Sequence, residues 1–558
     1  MRERKAMTNT GTAGQPRERG GADVADVVVI GAGAAGMTAA LAAATAGARV
    51  VLLEKSDRIG GTAAVSGGIV WVPCNDHIPH DDPDDRAEAL AYFASLDAQA
   101  IDDPVLAGFI DHAAAAIRFL ESSTRLRFAP LPGYPDYYLD RPGARPQGGR
   151  ALDSGLFAYN DLGDWADRVL GADPYPVTVA ETPLGGCTTP PAAEVIAARI
   201  ERDERGFGQA LVGGLLAACL DAGVDIRASQ QVLELTRDRK GVTGVRLADA
   251  DGAETTLVAA RGVIVATGGF EWNAALARTF LRGPIAHPAS PPGNIGDGLA
   301  LTMAAGAALG NMTQAWWCPT LLTDQSWADG SPRATPVLIE RTLPGSVIVN
   351  AAGTRFCNEA INYSAIAGAF HTFDPNSYGY PNMPAWLVFD HSYKLRYALA
   401  NAPAGPQVPG WITRATTLAA LADALGIPAA ALEATVMRFN VDAMAGVDRE
   451  FGRGASSYDR FYGDRSRPGA FATLGALETA PYYAVPLHLG VLGTNGGART
   501  DAQGRVLDHA GAVIRGLYAA GNVMAAPTGG VYAGAGGTLG PALTYGYLAG
   551  RHAAGDNG

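Results

Sequence analysis

The chain has 558 residues, of which 48% are hydrophobic and 18% are charged, and its formal net charge is −12. This length and composition predict an ordinary globular protein with about two domains and a large core. The acidic balance argues against a nucleic-acid surface, which needs clustered Lys and Arg, and no stretch has the length and apolar character expected of a membrane span.

Residues 1–22 are polar and rich in Gly and Arg, and they lack the apolar stretch of a secretory signal. We therefore expect a disordered leader there. The five cysteines are odd in number and never form a C-x-x-C pair, which favours neither a disulfide framework nor a zinc site. The sequence thus predicts a cytoplasmic protein, and it leaves open a peripheral association with a membrane.

The first predicted element is a β-branched strand at 26–30, followed by a glycine-rich turn, an Ala-rich helix and a second strand that ends in Glu54. This order is typical of a dinucleotide site. Gly31 makes the tight turn, Gly33 admits the phosphates, Gly36 lets the helix pack on the strand, and Glu54 binds a ribose hydroxyl. The helix N-terminus adds partial positive charge. The motif alone does not separate NAD from FAD.

A second glycine-rich segment follows Glu54 and contains Gly60-Gly61-Thr62 and Ser66-Gly67-Gly68. A mobile glycine loop is the alternative interpretation. The pattern also resembles flavoproteins of the fumarate reductase and succinate dehydrogenase type, in which such residues lie along the flavin and the pyrophosphate. That resemblance implies FAD, bound by a Rossmann-type α/β domain that an α+β catalytic domain interrupts.

A loop rich in proline carries residues that could be taken for metal ligands: Cys74, His77, His80, Asp76, Asp81, Asp82, Asp84 and Asp85. Their spacing matches no finger or helix pattern, so we predict no metal here. We interpret the acids as a solvated surface.

Residues 130–150 form a loop by their Pro and Gly content, and they carry Tyr134, Tyr137 and Tyr138. Loop tyrosines commonly pack as amphipathic anchors, and that alternative stays open here. Residues 150–190 are loop-rich, with one helix-like piece at 162–170, and no chemistry is legible in them. We hypothesise that this stretch covers a long substrate side chain.

Helical spacing is found at 192–202 and 208–222, and alternating strands follow at 224–229, 230–236 and 242–247. We expect these three strands to form a small sheet beside the Rossmann core, with Val232 facing the adenine.

Residues 261–269 read as a buried parallel strand that ends in Ala266-Thr267-Gly268, at the end where α/β proteins bind ligands. Asp297 then precedes a helix predicted at 299–309, for which it is a candidate N-cap.

Trp, Tyr and Pro become frequent near residue 316, and glycine-rich sequence returns near residue 490. We therefore predict that the FAD-binding domain spans 23–319 and 489–558 and that an inserted catalytic domain spans 320–488. Helices are predicted inside the insert at 418–425 and 429–445.

Three further motifs complete the pattern. They are E-R-x-x-P-G-S-x-x-V from Glu340, R-F-x-N-E from Arg355 with Tyr363 four residues after its Glu, and Y-A-G-A-G-G-T-L-G-P from Tyr532. Together with the dinucleotide site, these motifs resemble the 3-ketosteroid Δ1-dehydrogenases over nearly the whole chain.

The resemblance implies an FAD-dependent 1,2-desaturation of 3-ketosteroids, with an apolar steroid as substrate and an external electron acceptor. Tyr363 matches the base that removes the C2 proton, while Tyr532 and the N–H of Gly536 match the pair that polarises the C3 carbonyl. Hydride leaves C1 for the flavin N5. Tyr137 matches the tyrosine that supports the base, with Tyr134 and Tyr138 as alternatives.

Three other functions are weighed. Fumarate-reductase-like enzymes place an arginine in a glycine-rich turn where this chain has Leu343-Pro344-Gly345, which disfavours dicarboxylate reduction. A 3-ketosteroid Δ4-(5α)-dehydrogenase would use similar residues at C4 and C5. A flavin-binding protein without catalysis would use the tyrosines for packing alone.

The expected FAD contacts lie in the glycine-rich segments and at the strand ends. They are Gly31, Gly33, Ala34, Ala35, Gly36, Glu54, Lys55, Ser56, Gly60, Gly61, Thr62, Ser66, Gly67, Gly68, Val232, Ala266, Thr267, Gly268, Gly521, Asn522, Gly537 and Leu539.

Overall fold

The structure is a computed structural model that describes residues 23–79, 81–96, 103–171 and 174–556. The predicted leader at 1–22 and the side chain of His80 lie outside the described residues.

The described residues form helices of 4 to 21 residues and strands of 2 to 13 residues. The helices are α1 (Ala34–Thr45), α2 (Gly61–Ala64), α3 (Arg86–Leu96), α4 (Asp103–Ser123), α5 (Ala193–Glu201), α6 (Phe207–Asp221), α7 (Ala274–Phe280), α8 (Asp297–Ala304), α9 (Ala367–Phe370), α10 (His391–Arg396), α11 (Leu418–Leu425), α12 (Ala429–Ala445), α13 (Ser457–Phe461) and α14 (Leu539–Ala553). The strands are β1 (Asp23–Ile30), β2 (Val50–Leu53), β3 (Val70–Trp71), β4 (Ala129–Pro132), β5 (Gly148–Asp153), β6 (Phe157–Ala158), β7 (Glu204–Arg205), β8 (Asp225–Arg227), β9 (Gln231–Asp238), β10 (Gly241–Ala248), β11 (Glu254–Val265), β12 (Leu309–Gly310), β13 (Ala315–Ser326), β14 (Pro332–Pro336), β15 (Ser346–Asn350), β16 (Ala385–Phe389), β17 (Thr413–Ala415), β18 (Tyr482–Thr494), β19 (Gly497–Ala498), β20 (Arg505–Leu507) and β21 (Val513–Ala519).

The larger sheet is the framework of the dinucleotide site. Its path runs β20-β21-β11-β1-β2-β8, and every neighbouring pair from β21 to β8 is parallel. Because β1, β11 and β21 are in register, Ile30 pairs with Val265, which pairs with Ala519. The segments that follow these three residues therefore meet at one edge of the sheet.

One part of the strand prediction is wrong. The three strands predicted at 224–229, 230–236 and 242–247 do not form one small sheet, because β8 pairs in parallel with β2 after the α6 crossover. Only β9 and β10 pair with each other, and β10 continues antiparallel onto the first half of β11.

A second sheet lies in the middle of the chain, with strand order β14-β13-β18-β16-β15 and β17 beside β18. Its pairs are antiparallel. Its first strand begins at Ala315 and its last ends at Thr494, so this sheet brackets the predicted insert. The helices predicted at 418–425 and 429–445 coincide with α11 and α12.

Two local predictions need correction. The piece at 162–170 is not α-helical, since 3₁₀ turns span Tyr159–Arg168 around Gly163, whose φ is 55°. Asp297 is not an N-cap, because Gly296 holds that position and the carboxylate of Asp297 pairs with Lys55 instead.

Within the described residues, the model contains no helix of the length and apolarity that a bilayer crossing requires.

Helix α14 packs tightly against α1 through glycines. A Cβ on Gly550 would lie 2.3 Å from the Ala39 carbonyl oxygen, and one on Gly546 would lie 2.5 Å from that of Ala35. These contacts fix the axis of α14, whose N-terminus reaches the edge where β1, β11 and β21 end.

We expect Gly550→Ala to lower the free energy of unfolding by about 1–3 kcal/mol, because the added methyl group overpacks a backbone contact. Chemical denaturation of the purified protein measures the change. Gly368→Ala is the matched control, since a Cβ there meets no atom within 4 Å. Equal stability of the two variants would contradict the close packing of α14 on α1.

Candidate active site

The turn between β1 and α1 has the geometry of a phosphate site. Gly31 has φ +103° and a Cβ there would lie 2.5 Å from the Ala266 oxygen, while a Cβ on Gly36 would lie 1.8 Å from the Gly31 oxygen. A Cβ on Gly33 would instead meet nothing nearer than the Gly60 oxygen at 3.9 Å. The space in front of the α1 N-terminus, beside Ala34 and Ala35, is thus kept open for an anion.

Glu54 closes one side of this space. Its carboxylate accepts the N–H of Ala32 at 2.9 Å and that of Ser56 at 3.0 Å. Burial raises the pKa of Glu54, and these backbone donors oppose the rise. A carboxylate held in this way retains lone pairs that can accept ribose hydroxyls.

The segment from Gly60 to Gly68 lines the next part of the site. Gly60 adopts φ +111° and precedes α2, which contains Gly61 and Thr62. The Thr62 hydroxyl accepts the side-chain amide of Asn294 at 2.9 Å, and the Ser66 hydroxyl accepts the N–H of Gly68 at 3.1 Å. These bonds fix the backbone of a segment that contributes little side chain.

The other expected contacts divide into two groups. Ala266, Thr267 and Gly268 follow β11 and Gly521 and Asn522 follow β21, so both segments reach the shared edge. The ammonium of Lys55 donates to the Gly293 oxygen at 2.6 Å, and Val232 lies on β9, paired with Leu247.

A narrow cleft lies where the C-terminal segment meets the second sheet. Trp316 borders it and donates its indole N–H to Asn522 at 3.1 Å. The remaining lining residues come from 495 and from 521–542: Asn495, Gly521, Met524, Ala526, Pro527, Thr538, Pro541 and Ala542. Gly537 and Leu539 flank Thr538 at the start of α14. The phosphate turn, the carboxylate and this cleft together fit FAD.

Tyr137, Tyr363 and Tyr532, far apart in sequence, come together in one buried cluster. The ring centroid of Tyr363 lies 5.4 Å from those of both Tyr137 and Tyr532, and Tyr137 stacks on Tyr532 at 5.7 Å. Trp316 contacts Tyr532 edge-on at 5.2 Å. This indole joins the tyrosine cluster to the cleft.

The three tyrosines are only 3–5% exposed, so their hydroxyls lie in a dry environment. Burial raises the pKa of Tyr363, and the adjacent Tyr532 raises it further, while the neighbouring Tyr137 opposes the rise. Thr538 donates to the Tyr532 hydroxyl at 3.3 Å. Among the described residues, the Tyr137 hydroxyl has no partner of normal hydrogen-bond geometry.

Gly536 presents its backbone next to the cluster. Its φ is +91°, and a Cβ would lie 2.5 Å from both the Ile69 oxygen and the Trp71 nitrogen, so no other residue type fits. Its carbonyl accepts the N–H of Trp71 at 3.1 Å. Within the described part of the chain, the N–H of Gly536 donates to no protein oxygen, which leaves this donor for a ligand.

The motif residues Arg355 and Glu359 belong to the framework below Tyr363. Arg355 donates to both Glu359 oxygens at 2.8 and 2.7 Å and to Asp448 at 3.0 and 2.8 Å. Burial would raise the pKa of Glu359, but Arg355 and Arg453 hold it below its usual value. This ion cluster anchors the segment that carries Tyr363.

One sequence interpretation is wrong near Trp71. Asp84 is not solvated, because its side chain is fully buried and its carboxylate pairs with Arg150. Arg150 also pairs with Asp136, whose other oxygen accepts the indole N–H of Trp71. Nothing in the local periodicity marked these residues, since their partners are distant in sequence.

The remaining candidates for a metal do not converge. His77 lies 3.1 Å from Glu121, and Cys74 is bound through its backbone N–H to Asp84. In the ranges that the structure describes, no group of three or more His, Cys, Asp or Glu side chains is arranged to hold a metal ion.

Three more tyrosines extend the cluster and were not all expected. Tyr458 lies 5.2 Å from both Tyr137 and Tyr462, and the hydroxyls of Tyr134 and Tyr462 are hydrogen bonded. Tyr458 and Tyr462 come from α13 and its C-cap, where the only sequence signal was local tyrosine content. From the segment 150–190, Val179 is buried in the same cluster.

Comparisons with known proteins agree with this site. The FAD binding domain family matches residues 26–539. A 3-oxosteroid 1-dehydrogenase of Mycobacterium tuberculosis is 39% identical over 95% of this chain and 98% of that protein. The chain belongs to the FAD-dependent 3-ketosteroid Δ1-dehydrogenase family. FAD is therefore its cofactor, and the predicted enzyme class and α/β flavoprotein fold are confirmed.

Two further relatives frame the question of the substrate. A 4-oxocyclohexanecarboxylate 2-dehydrogenase of Sinomonas cyclohexanicum is 40% identical over 95% of this chain and 93% of that protein. The crystal structure of a 3-ketosteroid Δ1-dehydrogenase of Sterolibacterium denitrificans, in complex with 1,4-androstadiene-3,17-dione, has a TM-score of 0.89 and 33% identity, covering 96% of this chain and 100% of that one.

We expect Gly33→Val to abolish FAD binding while the protein still folds, because the new side chain enters the open phosphate space rather than a packed contact. The measurement is the flavin-to-protein absorbance ratio, together with thermal unfolding of the apoprotein. Saturation with FAD at 100 times Kd stabilises a binding-competent protein by about 2.7 kcal/mol, and the variant should lose this shift.

Gly410→Val is the control, since a Cβ there meets no atom within 4 Å and the residue lies far from the turn in sequence. A Gly33→Val protein that retains stoichiometric FAD would show that the phosphate site lies elsewhere.

Proposed function

We propose that this enzyme introduces the C1=C2 double bond into 3-ketosteroids, with Tyr363 as base and with Tyr532 and the N–H of Gly536 as the carbonyl clamp. The observation that carries the proposal is the contact of Tyr363 with both Tyr137 and Tyr532, at ring distances of 5.4 Å, near the backbone N–H of Gly536, which has no acceptor among the described residues.

The carbonyl clamp makes the neighbouring C–H acidic enough to react. When the C2 proton leaves, negative charge develops on the ketone oxygen, and two fixed donors in a dry site stabilise it. Loss of one such donor typically costs about 3–4 kcal/mol of transition-state stabilisation. Gly536 supplies its donor without a side chain, and Thr538 orients the hydroxyl of Tyr532.

The base must lose its own proton before it can accept one from carbon. Because burial raises the pKa of Tyr363, its phenolate is rare at neutral pH unless a neighbour stabilises it. In this proposal Tyr137, whose ring centroid lies 5.4 Å from that of Tyr363, donates to that phenolate. Bound FAD supplies the acceptor for the hydride that leaves C1, and an external acceptor must then reoxidise it.

Dicarboxylate reduction is disfavoured by the position of Arg341. This buried guanidinium donates to the carbonyl oxygens of Val337 and Glu359, so it serves the framework of the second sheet. The Δ4-(5α) reaction stays an alternative, because a tyrosine base beside a carbonyl clamp can act at either side of a ketone.

We expect Tyr363→Phe to lower the rate of anaerobic flavin reduction by androst-4-ene-3,17-dione by about 100- to 10,000-fold, the usual contribution of a general base. In the wild type this rate should rise with pH above neutrality, because the active form is the phenolate and its pKa is raised. Stopped-flow absorbance of the flavin measures both effects.

The control is Tyr378→Phe, since Tyr378 is 85% exposed. Full reduction rate in Tyr363→Phe would exclude this residue as the base. Mass spectrometry and NMR of the product distinguish a Δ1 from a Δ4 double bond.

A second candidate substrate class is a cyclohexanone that carries a carboxylate. Two observations favour it: the 40% identity to a 4-oxocyclohexanecarboxylate 2-dehydrogenase, and the hydroxyls that extend the cluster. The Tyr458 hydroxyl is buried and has no partner among the described residues, and the Tyr134–Tyr462 hydroxyl pair lies next to it. Covering such a hydroxyl with hydrocarbon is unfavourable.

If the substrate is a compact oxo acid, Tyr458→Phe should lower kcat/KM for 4-oxocyclohexanecarboxylate by about tenfold, the loss of roughly 1.4 kcal/mol of binding. If the substrate is a steroid, the same variant should leave kcat/KM for androst-4-ene-3,17-dione unchanged or raise it. Steady-state kinetics with both ketones and an artificial electron acceptor separates the two substrate classes.

A further inference from the structure

A buried ion cluster lies next to the tyrosines, and none of its members is among the described residues that line the cleft. Arg150 donates to Asp84 at 2.8 and 2.5 Å and to Asp136 at 2.8 Å. The side chains of Arg150 and Asp84 are fully buried and that of Asp136 is 3% exposed. Burying three charged groups is costly unless each is paired and hydrogen bonded, as these three are.

Asp136 is the branch point of this cluster. One of its oxygens accepts the indole N–H of Trp71 at 2.9 Å, and the other accepts Arg150 and the backbone N–H of Arg145 at 3.0 Å. Three donors converge on one carboxylate, which fixes its orientation. The guanidinium of Arg150 also lies over the Trp71 ring, 5.4 Å from its centroid.

Trp71 connects the carboxylate to the carbonyl clamp. Its backbone N–H donates to the Gly536 oxygen at 3.1 Å, and a Cβ on Gly540 would lie 2.0 Å from the Trp71 oxygen. A Cβ on Gly534 would lie 2.4 Å from the indole ring. The glycine-rich segment is thus pressed against Trp71, so the position of Trp71 sets the position of the Gly536 N–H.

Asp136 is also linked through the backbone to Tyr137, the proposed support of the base, because it is the preceding residue. The N–H of Tyr137 donates to the Ala533 oxygen at 3.0 Å, and Tyr92 donates to the same oxygen at 2.8 Å. Ala533 itself follows Tyr532. The backbone carrying Tyr137 and the backbone carrying Tyr532 are therefore joined directly.

We propose that Asp136 is a positioning residue that, through Trp71, sets the distance between the carbonyl clamp at Tyr532 and Gly536 and the base-supporting hydroxyl of Tyr137. Proton removal needs both at once: the clamp stabilises the charge on oxygen while Tyr137 stabilises the phenolate. The inference rests on the proposed function of these residues, and Asp136 and Trp71 act through them without touching the substrate.

Trp71→Phe is the sharpest test, because it removes the indole N–H and leaves Asp136 paired with Arg150 and Arg145. We expect the rate of flavin reduction at neutral pH to fall between about tenfold and about 100-fold, the size of a misplacement by about 1 Å. The loss should shrink at alkaline pH, because displacing Tyr137 raises the pKa of Tyr363 and higher pH restores its phenolate.

Asp136→Asn is the second variant, in case the smaller Phe side chain prevents folding. If the Asn oxygen accepts from Arg150 and Arg145, its amide nitrogen faces the indole N–H, and two donors cannot bond. The same upward shift of the pH profile is expected. Hydrogen exchange of peptides covering 529–541 and 133–140 should become faster in both variants. This measurement detects weaker packing on Trp71 and does not depend on enzyme activity.

Trp411→Phe and Asp161→Asn are the matched controls. The indole N–H of Trp411 has no partner among the described residues, and Asp161 forms an exposed pair with Arg125. Both controls should keep the wild-type pH profile. An unchanged profile and unchanged exchange in Trp71→Phe and Asp136→Asn, with FAD bound, would overturn the inference.

Different results would contradict the proposed function itself. It fails when Tyr363→Phe keeps its full rate or when no cyclic ketone bleaches the wild-type flavin. Faster exchange in both 529–541 and 133–140 would in that case still support the link through Trp71, and its absence would refute it.

Discussion

Close contact between the Gly536 backbone and Trp71 is the constraint on which the active site depends. It forces glycine at position 536. The same stretch leads into α14, which begins near the edge where β1, β11 and β21 end. The lining of the cleft and the proposed carbonyl clamp therefore belong to one short stretch of backbone, which packs against Trp71.

Two buried ion clusters hold the loops that carry Tyr363 and Tyr137. Arg355, Glu359 and Asp448 anchor the segment below Tyr363, and Arg150 with Asp84 and Asp136 anchors the loop that carries Tyr137. In each cluster an arginine bridges two carboxylates, which restricts both partners more than a single surface pair would. Two loops without regular secondary structure are thereby held in fixed positions, which the proposed base and its supporting donor would require.

The local sequence pattern was sufficient to predict residues whose structural role depends on their immediate neighbours. The β1 turn, the helices α11 and α12, and the glycines near Tyr532 follow from spacing and from backbone conformation, and the structure has them as predicted. Motif resemblance then singled out Tyr363, Tyr532 and Tyr137, which do lie in contact. Their chemical roles stay predictions.

Residues whose role depends on distant partners were not predictable in the same way. Asp84 sits in an acidic run that resembles a solvated surface, and only the folded chain brings Arg150 against it. Strand β8 was assigned to the wrong neighbours because alternation identifies a strand but not its partner. Tyr458 and Tyr462 lie in and just after α13, far in sequence from Tyr137. Apart from the local tyrosine content, the sequence does not indicate that they reach the cluster.

The most direct test of this account is a crystal structure of the FAD complex with a bound cyclic enone product. The account predicts that the ketone oxygen lies within hydrogen-bond distance of both the Tyr532 hydroxyl and the Gly536 N–H, with the Tyr363 hydroxyl facing the carbon next to the carbonyl. A ketone oxygen bound by any other pair of donors, with Tyr363 away from that carbon, would contradict it.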